Sequence, residues 1–414
     1  MYIKKIEITN IRTIKKLDIE FPKPAGWHVL LGDNGAGKSS LIRAISAALI
    51  GPSEVLRLDP NFSTWVKNGE RKATINLLLE RNSSLDKRSG QGGAKGGVKD
   101  ITEISCQTNI EQDEGNGRSW KFKDASPKKE GTHPDYYNWG SGDGWFSAAF
   151  GPYRRFTGGD QSMEAFYIRN PKIGAHLTAF KENAALTESV IWLKDLLLRS
   201  LAKPNSEETT ILKGIIHFTN QEDLLPLGYS IQEITPDGPI FNIPDRSTVH
   251  LYELSEGIKS VTSLAFELMR LLLRVYPASQ IFSNFLDNNR LNDTVEVPGV
   301  VLIDEIDVHL HPLWQARIGQ WFTRCFPQIQ FIVTTHSPII CRAAVNGSVW
   351  RLVTQQDGTT KVQGLAGHEL DSLLYGDILD AYGTGVFGHD ITRDEAGNEK
   401  LAQLASGRLV NPNN

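Results

Sequence analysis

Eight consecutive residues, Gly32, Asp33, Asn34, Gly35, Ala36, Gly37, Lys38 and Ser39, fit the pattern G-x-x-x-x-G-K-[ST] at every fixed position. Such a loop grips phosphate only between a buried strand and a helix N-terminus, where backbone N–H groups converge and the helix dipole favours negative charge. Residues 27–31, WHVLL, read as a short apolar strand, and residues 40–49, SLIRAISAAL, carry helical spacing of their apolar side chains, so the context is met. Gly35 and Gly37 leave room for phosphate where a Cβ would intrude. Lys38 is expected to bring positive charge to the β- and γ-phosphates of a nucleotide and the Ser39 hydroxyl to ligate Mg²⁺, with Ser40 completing the binding loop.

Two further stretches carry chemistry. Residues 300–305, VVLIDE, form an apolar run into two acids, the form expected of a Walker B strand. Asp304 is expected to orient Mg²⁺ through its water shell and Glu305 to polarise an attacking water. One strand later, QFIVTTHS at 330–337 ends in a polar tip whose His336, both donor and acceptor, suits a contact to the γ-phosphate or to that water. In open parallel sheets ligands collect at the carboxyl ends of neighbouring strands, so the three tips are read as one site. LSEGIKS, at 254–260, opens a long helix with Ser255 placed as its N-cap, and read locally it is ordinary capping. His309 and His311 form an H-x-H pair, but no third ligand lies near, and no metal site is expected there.

The elements that must position these groups begin with strand signals, YIKKIEITNI, KKLDIEF and ATINLLLE, surrounding the loop and its helix. Residues 82–100, NSSLDKRSGQGGAKGGVKD, cannot bury apolar surface and read as a flexible loop. Its Lys87, Arg88, Lys95 and Lys99 outweigh Asp86 and Asp100, which leaves a mobile nucleic-acid contact as an alternative to plain solvation. Residues 145–156 read as a buried strand ending in a Gly-Pro turn that exposes Arg154 and Arg155. From 160 to 220 the pattern turns helical, most clearly in ESVIWLKDLLLRSLA, and no internal repeat or sustained heptad is present.

A chain of 414 residues with 40% hydrophobic and 22% charged residues has the composition of a globular protein, neither disordered nor membrane-embedded. A formal charge of −4 gives no global attraction for nucleic acid. Three cysteines without C-x-x-C pairing suggest neither a disulfide framework nor zinc, and a reducing cytoplasm is the natural setting. No run is long and apolar enough for a membrane span, and the first residues alternate like a strand rather than forming a signal peptide.

In their order along the chain, the loop at 32–39, LSEG at 254–257, Asp304-Glu305 and His336 resemble the four elements of ABC-type ATPase heads, with LSEGIKS a loose form of the LSGGQ signature. IEITNIRTIKKLDIEF resembles the opening of the RecF and SMC branch, which implies that Arg12 lies near the nucleotide. DEIDVHLHP and TTHSP resemble bacterial AAA-type ATP-binding proteins, including relatives of the overcoming-lysogenization-defect (OLD) proteins. The resemblance is close over 1–50 and 250–340. It implies an α/β fold, an ABC-type P-loop head whose mixed sheet has an N-terminal antiparallel β subdomain, with an inserted, largely helical lobe. The implied divisions are 1–80, the N-terminal lobe of the head; 81–159, a β-rich extension; 160–249, the inserted lobe; 250–345, the C-terminal lobe of the head; and 346–414, a C-terminal extension. It also implies ATP and Mg²⁺ as ligands and a dimer of heads, or a higher oligomer, in which Ser255, Glu256 and Gly257 meet the facing subunit's nucleotide. The Q-loop is open between Gln107 and the turn at 151–155. The interval between loop and signature lacks the heptads of a long SMC rod. The stretch after Pro338 is too short for the Toprim nuclease of OLD proteins, so no nuclease is expected within the chain. The role implied is a defence ATPase controlling a separately encoded nuclease or toxin; the alternative is a RecF-like clamp that binds DNA directly.

Overall fold

The computed structural model describes residues 1–377, apart from 60–61, 88–100, 113–119, 129–132, 141–143, 155–169, 183, 185, 205, 227, 246 and 283–292. Most of the basic loop, including Arg88, Lys95 and Lys99, lies outside the described residues, as do Arg155 and residues 378–414.

Strand β1 (Tyr2–Ile11) mixes buried with half-buried side chains and β2 (Ile14–Glu20) buried with exposed ones, the mark of a sheet with one wetter face. With β4 (Lys72–Glu80), β5 (Glu103–Gln112) and β6 (Trp120–Asp124) they form the antiparallel part of one sheet. The other part is built from β3 (Gly26–Gly32), β7 (Ser147–Phe150), β11 (Gly299–Ile303), β12 (Ile329–Thr335) and β13 (Ser348–Thr354), all parallel to one another. Every residue of β11 and β12 is buried, as a parallel strand covered on both faces requires. The hairpin partner β14 (Thr360–Gly364) joins the two parts, and the eleven strands run β6-β5-β4-β1-β2-β14-β13-β3-β12-β11-β7. The expected mixed sheet with an antiparallel N-terminal part is thus present. β7, from the 81–159 stretch, and β13 and β14, from the 346–414 stretch, are strands of this same sheet.

Helix α1 (Lys38–Ile50) follows the phosphate loop and buries nearly its whole length, and α2 (Pro52–Leu58) continues from it. Helices α3 (Thr187–Ala202), α4 (Glu207–Thr219) and the 20-residue α5 (Glu256–Val275) pack against one another, and α5 also against β7. A separate three-stranded sheet, β10 (Thr248–His250), β9 (Gly238–Asn242) and β8 (Ser230–Thr235), packs on α3 and α4. Helix α6 (Pro312–Cys325) links β11 to β12, and its Phe322 stacks on Trp27 of β3 with ring centroids 6.0 Å apart. A short α7 (Gly367–Tyr375) follows β14. No described helix is long and apolar enough to cross a membrane. Cys106, Cys325 and Cys341 are buried singly.

Two buried histidines tie these layers. His28 of β3 bonds the carbonyl of Pro24 through Nε2 (2.7 Å) and the Ser348 hydroxyl of β13 through Nδ1 (2.8 Å). His176 bridges the hydroxyls of Ser46 on α1 (2.7 Å) and Ser147 on β7 (3.0 Å). Desolvation pushes His28 down to about 4 and His176 down to about 3 from the ordinary 6.5. As pH falls below about 6.5 the unfolded chain therefore takes up a proton at each while the folded chain does not, and stability present above that pH is lost as pH falls toward the folded values. The urea midpoint should drop between pH 6.5 and 4.5 by as much as about 1.4 kcal/mol per pH unit for each histidine. His28→Gln should show a shallower slope than the unsubstituted chain, and a stability difference between the two that is constant from pH 7.5 to 4.5 would refute the assignment.

Candidate functional site: a phosphate loop facing an acid-bearing and a histidine-bearing strand tip

The parallel registers decide what meets what. Leu31 of β3 pairs with Thr335 of β12, Ile303 of β11 pairs with Val333, and Phe150 of β7 pairs with Ile303. The residues that follow each strand emerge along one edge. Those after β3, β11 and β12, together with the turn between β1 and β2, line a concavity of about 480 Å³, with Arg12, Thr13, Asn34, Gly35, Gly37, Lys38, Ser39 and Ser40 on one side and Glu305 and His336 on the other.

Within the loop, Gly35 and Gly37 have φ of 82° and 86°, a region that strongly favours glycine. A Cβ on Gly37 would lie 2.8 Å from the Thr13 hydroxyl. The Lys38 ammonium donates to the carbonyls of Gly32 (2.6 Å) and Asp33 (3.0 Å). Burial lowers its pKa, against the opposing pull of Glu305, Asp304, Asp307 and Asp33. Ala36 is buried, and its carbonyl accepts from the hydroxyl of Thr360 in β14 (3.1 Å), whose oxygen also hydrogen-bonds the Thr13 hydroxyl (2.9 Å). Thr13 and Thr360, which clamp the loop from behind, had no signal in the sequence. Arg12 sits in the left-handed region (φ 49°) and its guanidinium donates to the Ser40 hydroxyl at 3.2 Å.

On the opposite wall the Thr334 hydroxyl donates to the Asp304 carboxylate (2.5 Å) and accepts from the Glu305 backbone N–H (2.7 Å). Asp304 is buried, whereas Glu305 is partly open and sits at φ 46°, a strained conformation of the kind that accumulates at working sites. Asp307, also buried, accepts from the Thr335 hydroxyl (2.5 Å) and lies 3.2 Å from Nδ1 of the half-exposed His336. Asp307 and Thr334 carry no mark of these roles in the sequence, the first because three acids in DEID look alike there.

The turn after β7 differs from expectation. Arg154 is 5% exposed rather than surface-facing. Its side chain folds back under the tip of β11 and donates to the carbonyls of Gly151, Asp304 and Glu305 at 2.8–2.9 Å and of Ile306 at 3.4 Å. The reason is topological: β7 runs parallel beside β11, so a turn leaving β7 meets the carbonyls leaving β11. Desolvation pushes the guanidinium down to about 10, with Asp304 the largest opposing influence, and it stays charged at neutral pH. Of the two Q-loop candidates, Gln107 lies within β5 and bonds Ser105, while the 151–154 turn adjoins Asp304.

Ser255, Glu256 and Gly257 are not brought to this concavity. Ser255 is the N-cap of α5 by backbone position, its carbonyl accepting from Lys259 N–H (3.0 Å), but its hydroxyl makes no capping bond. It is exposed and lines a separate concavity of about 460 Å³ with His311, Trp314 and Arg317. Gly257 is buried, and a Cβ there would meet the His309 carbonyl at 2.7 Å and the Trp314 ring at 3.0 Å. His311 caps α6 by accepting from Leu313 N–H (3.2 Å).

Among the described residues no three His, Cys, Asp or Glu groups cluster as metal ligands. One hydroxyl, Ser39, and one carboxylate, Asp304, beside a phosphate cradle are the donor set that suits Mg²⁺, which keeps several waters and leans on substrate phosphates.

Two family models match the chain: "AAA domain" over residues 5–145 and "AAA domain, putative AbiEii toxin, Type IV TA system" over 179–342. The Septu protein PtuA of Bacillus mycoides is 24% identical over 92% of this chain and 45% of its own length. The retron Ec83 probable ATPase of Escherichia coli is 39% identical over 28% of this chain and 20% of its own length. The chain thus spans less than half of either relative. Shorter segments match Rad50 ATPases and a RecF protein. A structure of the SMC head bound to the C-winged helix domain of ScpA superposes over 88% of this chain and 98% of its own, with 19% identity and a TM-score of 0.50. The fold is therefore that of an SMC-type ABC ATPase head.

Thr334→Val should leave the buried Asp304 carboxylate and Glu305 N–H each short of a partner and cost about 1–3 kcal/mol in a denaturant titration. Thr334→Ser, which keeps the hydroxyl, should cost less; equal losses in the two variants would mean that the methyl, not the hydroxyl, matters.

Proposed function

We propose that this chain, an ATPase of the SMC/Rad50/RecF type by fold and relatives, binds Mg-ATP in the 480 Å³ concavity and hydrolyses it as a dimer of heads. One observation carries the reading: the phosphate loop and the pair Glu305–His336 face each other across a single cleft, although more than 260 residues separate them in the sequence. Lys38 exchanges its loop carbonyls for phosphate oxygens, and the loop's backbone N–H groups with the α1 dipole hold the remaining charge. Arg12 supplies a second cation at the cleft's rim. Ser39 and Asp304 would hold Mg²⁺, which would supply positive charge beside the phosphates. Glu305 takes a proton from the attacking water, and His336, oriented by Asp307, hydrogen-bonds the γ-phosphate or that water.

The exposed start of α5 cannot serve this cleft within one chain and is assigned to the facing protomer's γ-phosphate, where a helix N-terminus favours an anion. ATP then holds two heads together, hydrolysis loosens them, and the lobe built from α3, α4 and the small sheet passes the change to a separately encoded effector. The defence role is supported by the DEIDVHLHP and TTHSP resemblance and by the Septu and retron relatives. The second reading, a clamp on DNA, is supported by the Rad50 and RecF segments and differs in requiring salt-dependent DNA binding.

Lys38→Ala should abolish ATP binding in calorimetry, whereas Glu305→Gln should bind ATP, lose turnover by about 100-fold or more and persist as a dimer in sizing experiments. Ser255→Glu, on an exposed site, should bind ATP normally yet fail to dimerise and hydrolyse, because its carboxylate would oppose the partner's phosphates. Mixing it with Lys38→Ala chains should restore part of the activity through one intact composite site. Wild-type hydrolysis by Ser255→Glu alone would reduce the signature to a helix start.

A further inference from the structure

Arg154 uses its hydrogen-bonding capacity completely. A guanidinium has five N–H donors, and here each has its own acceptor. Nη1 donates to the carbonyls of Gly151 (2.9 Å) and Asp304 (2.8 Å), and Nη2 to those of Glu305 (2.9 Å) and Ile306 (3.4 Å). Nε donates to the hydroxyl of Ser260 (3.3 Å), one turn into α5 from the exposed Ser255. Three of the carbonyls belong to consecutive residues, so the backbone at 304–306 turns three dipoles toward one point. Such an arrangement repels itself unless a cation sits at the focus. The Glu305 φ of 46° is the cost of that turn, and the guanidinium is what offsets it. Ser260 is itself buried, and Arg154 is buried between it and β11, so the link crosses a dry layer where hydrogen bonds are strong and loss of one is expensive.

We infer that Arg154 is a positioning residue that fixes the backbone turn carrying Glu305 and ties it through Ser260 to the helix opened by Ser255–Gly257, so that strain at that helix start is felt at Glu305. The inference rests on the reading of Glu305 as the group that polarises water, and it adds a mechanical path from the surface assigned to the facing protomer to that carboxylate. No other described side chain contacts both the 304–306 turn and α5 through hydrogen bonds. A lysine would keep the charge but present three donors from one point, unable to meet five acceptors spread around a plane.

Arg154→Lys and Ser260→Ala, in the full chain, separate this from a merely structural role. Arg154→Lys should lower kcat roughly 10- to 100-fold while KM and calorimetric ATP affinity change less than about threefold, because the phosphate loop is untouched. Ser260→Ala should show a smaller loss of the same kind, since the three carbonyls remain held. Amide hydrogen exchange, read on the peptide covering 303–308, should quicken in Arg154→Lys relative to that of the β3 and α1 peptides. Wild-type turnover in both variants, or loss of ATP affinity in parallel with kcat, overturns the inference; so does unchanged exchange at 303–308. Should Arg154→Lys fail to fold, Ser260→Ala decides alone by the same readouts. If the unsubstituted chain did not hydrolyse ATP, the ATPase reading would fail, while the exchange experiment would still accept or reject the tie between Arg154 and the turn.

Discussion

Parallel pairing among β3, β12, β11 and β7 is the constraint on which the rest of this molecule depends. Parallel strands must be covered on both faces, so these four carry almost nothing but buried side chains and have no polar groups to spare along their length. Chemistry is left to the tips. Because the registers are in step, all four chains leave the sheet at one edge; the segments after β3, β11 and β12 share one cleft, and the turn after β7 lies against the tip of β11. A slip of one residue in β11 would turn every side chain over and carry Asp304 and Glu305 away from the phosphate loop.

Behind the cleft lies a layer of polar groups that are buried and matched. Asp304 is held by Thr334, Asp307 by Thr335, and the carbonyls of 304–306 by Arg154. Buried carboxylates are tolerated only when hydrogen-bonded, and once satisfied they are rigid. The groups that face the cleft, Glu305 and His336, are correspondingly more open. Rigid partners beneath these open side chains fix the backbone from which they project. On the loop side the same division holds: Thr13 and Thr360 grip the backbone, and Lys38 points its ammonium at carbonyls that phosphate oxygens can replace.

The helix start at Ser255–Gly257 obeys a different constraint. Gly257 has a local reason to lack a side chain, since the His309 carbonyl and the Trp314 ring leave no room for one. His309 itself takes φ 64°, so the chain after β11 is bent tightly to lie against α5. The start of α5 and the segment that follows Glu305 are therefore in direct contact.

How far the residues alone reached is clear from particular elements. The loop from Gly32 to Ser39, the acid pair and His336 were legible, because a strand, a special backbone conformation and a following helix each leave marks within a few positions. So was the mixed sheet, given the family resemblance, since alternation in β1, β2 and β4 and continuous burial in β11 and β12 are local patterns. Arg154 was misread as exposed because a Gly-Pro turn followed by two arginines looks like a surface turn, and nothing nearby shows that β7 lies beside β11. Thr13, Thr360, Thr334 and Asp307 left no signal, for a hydroxyl or a third acid becomes a partner only when a strand from elsewhere in the chain is laid against it. Local sequence determined which groups carry charge and which segments are strands or helices; the order of strands in the sheet decided which of those charges are buried, and by whom they are held, because partnership in a dry interior is set by distance in space and not along the chain.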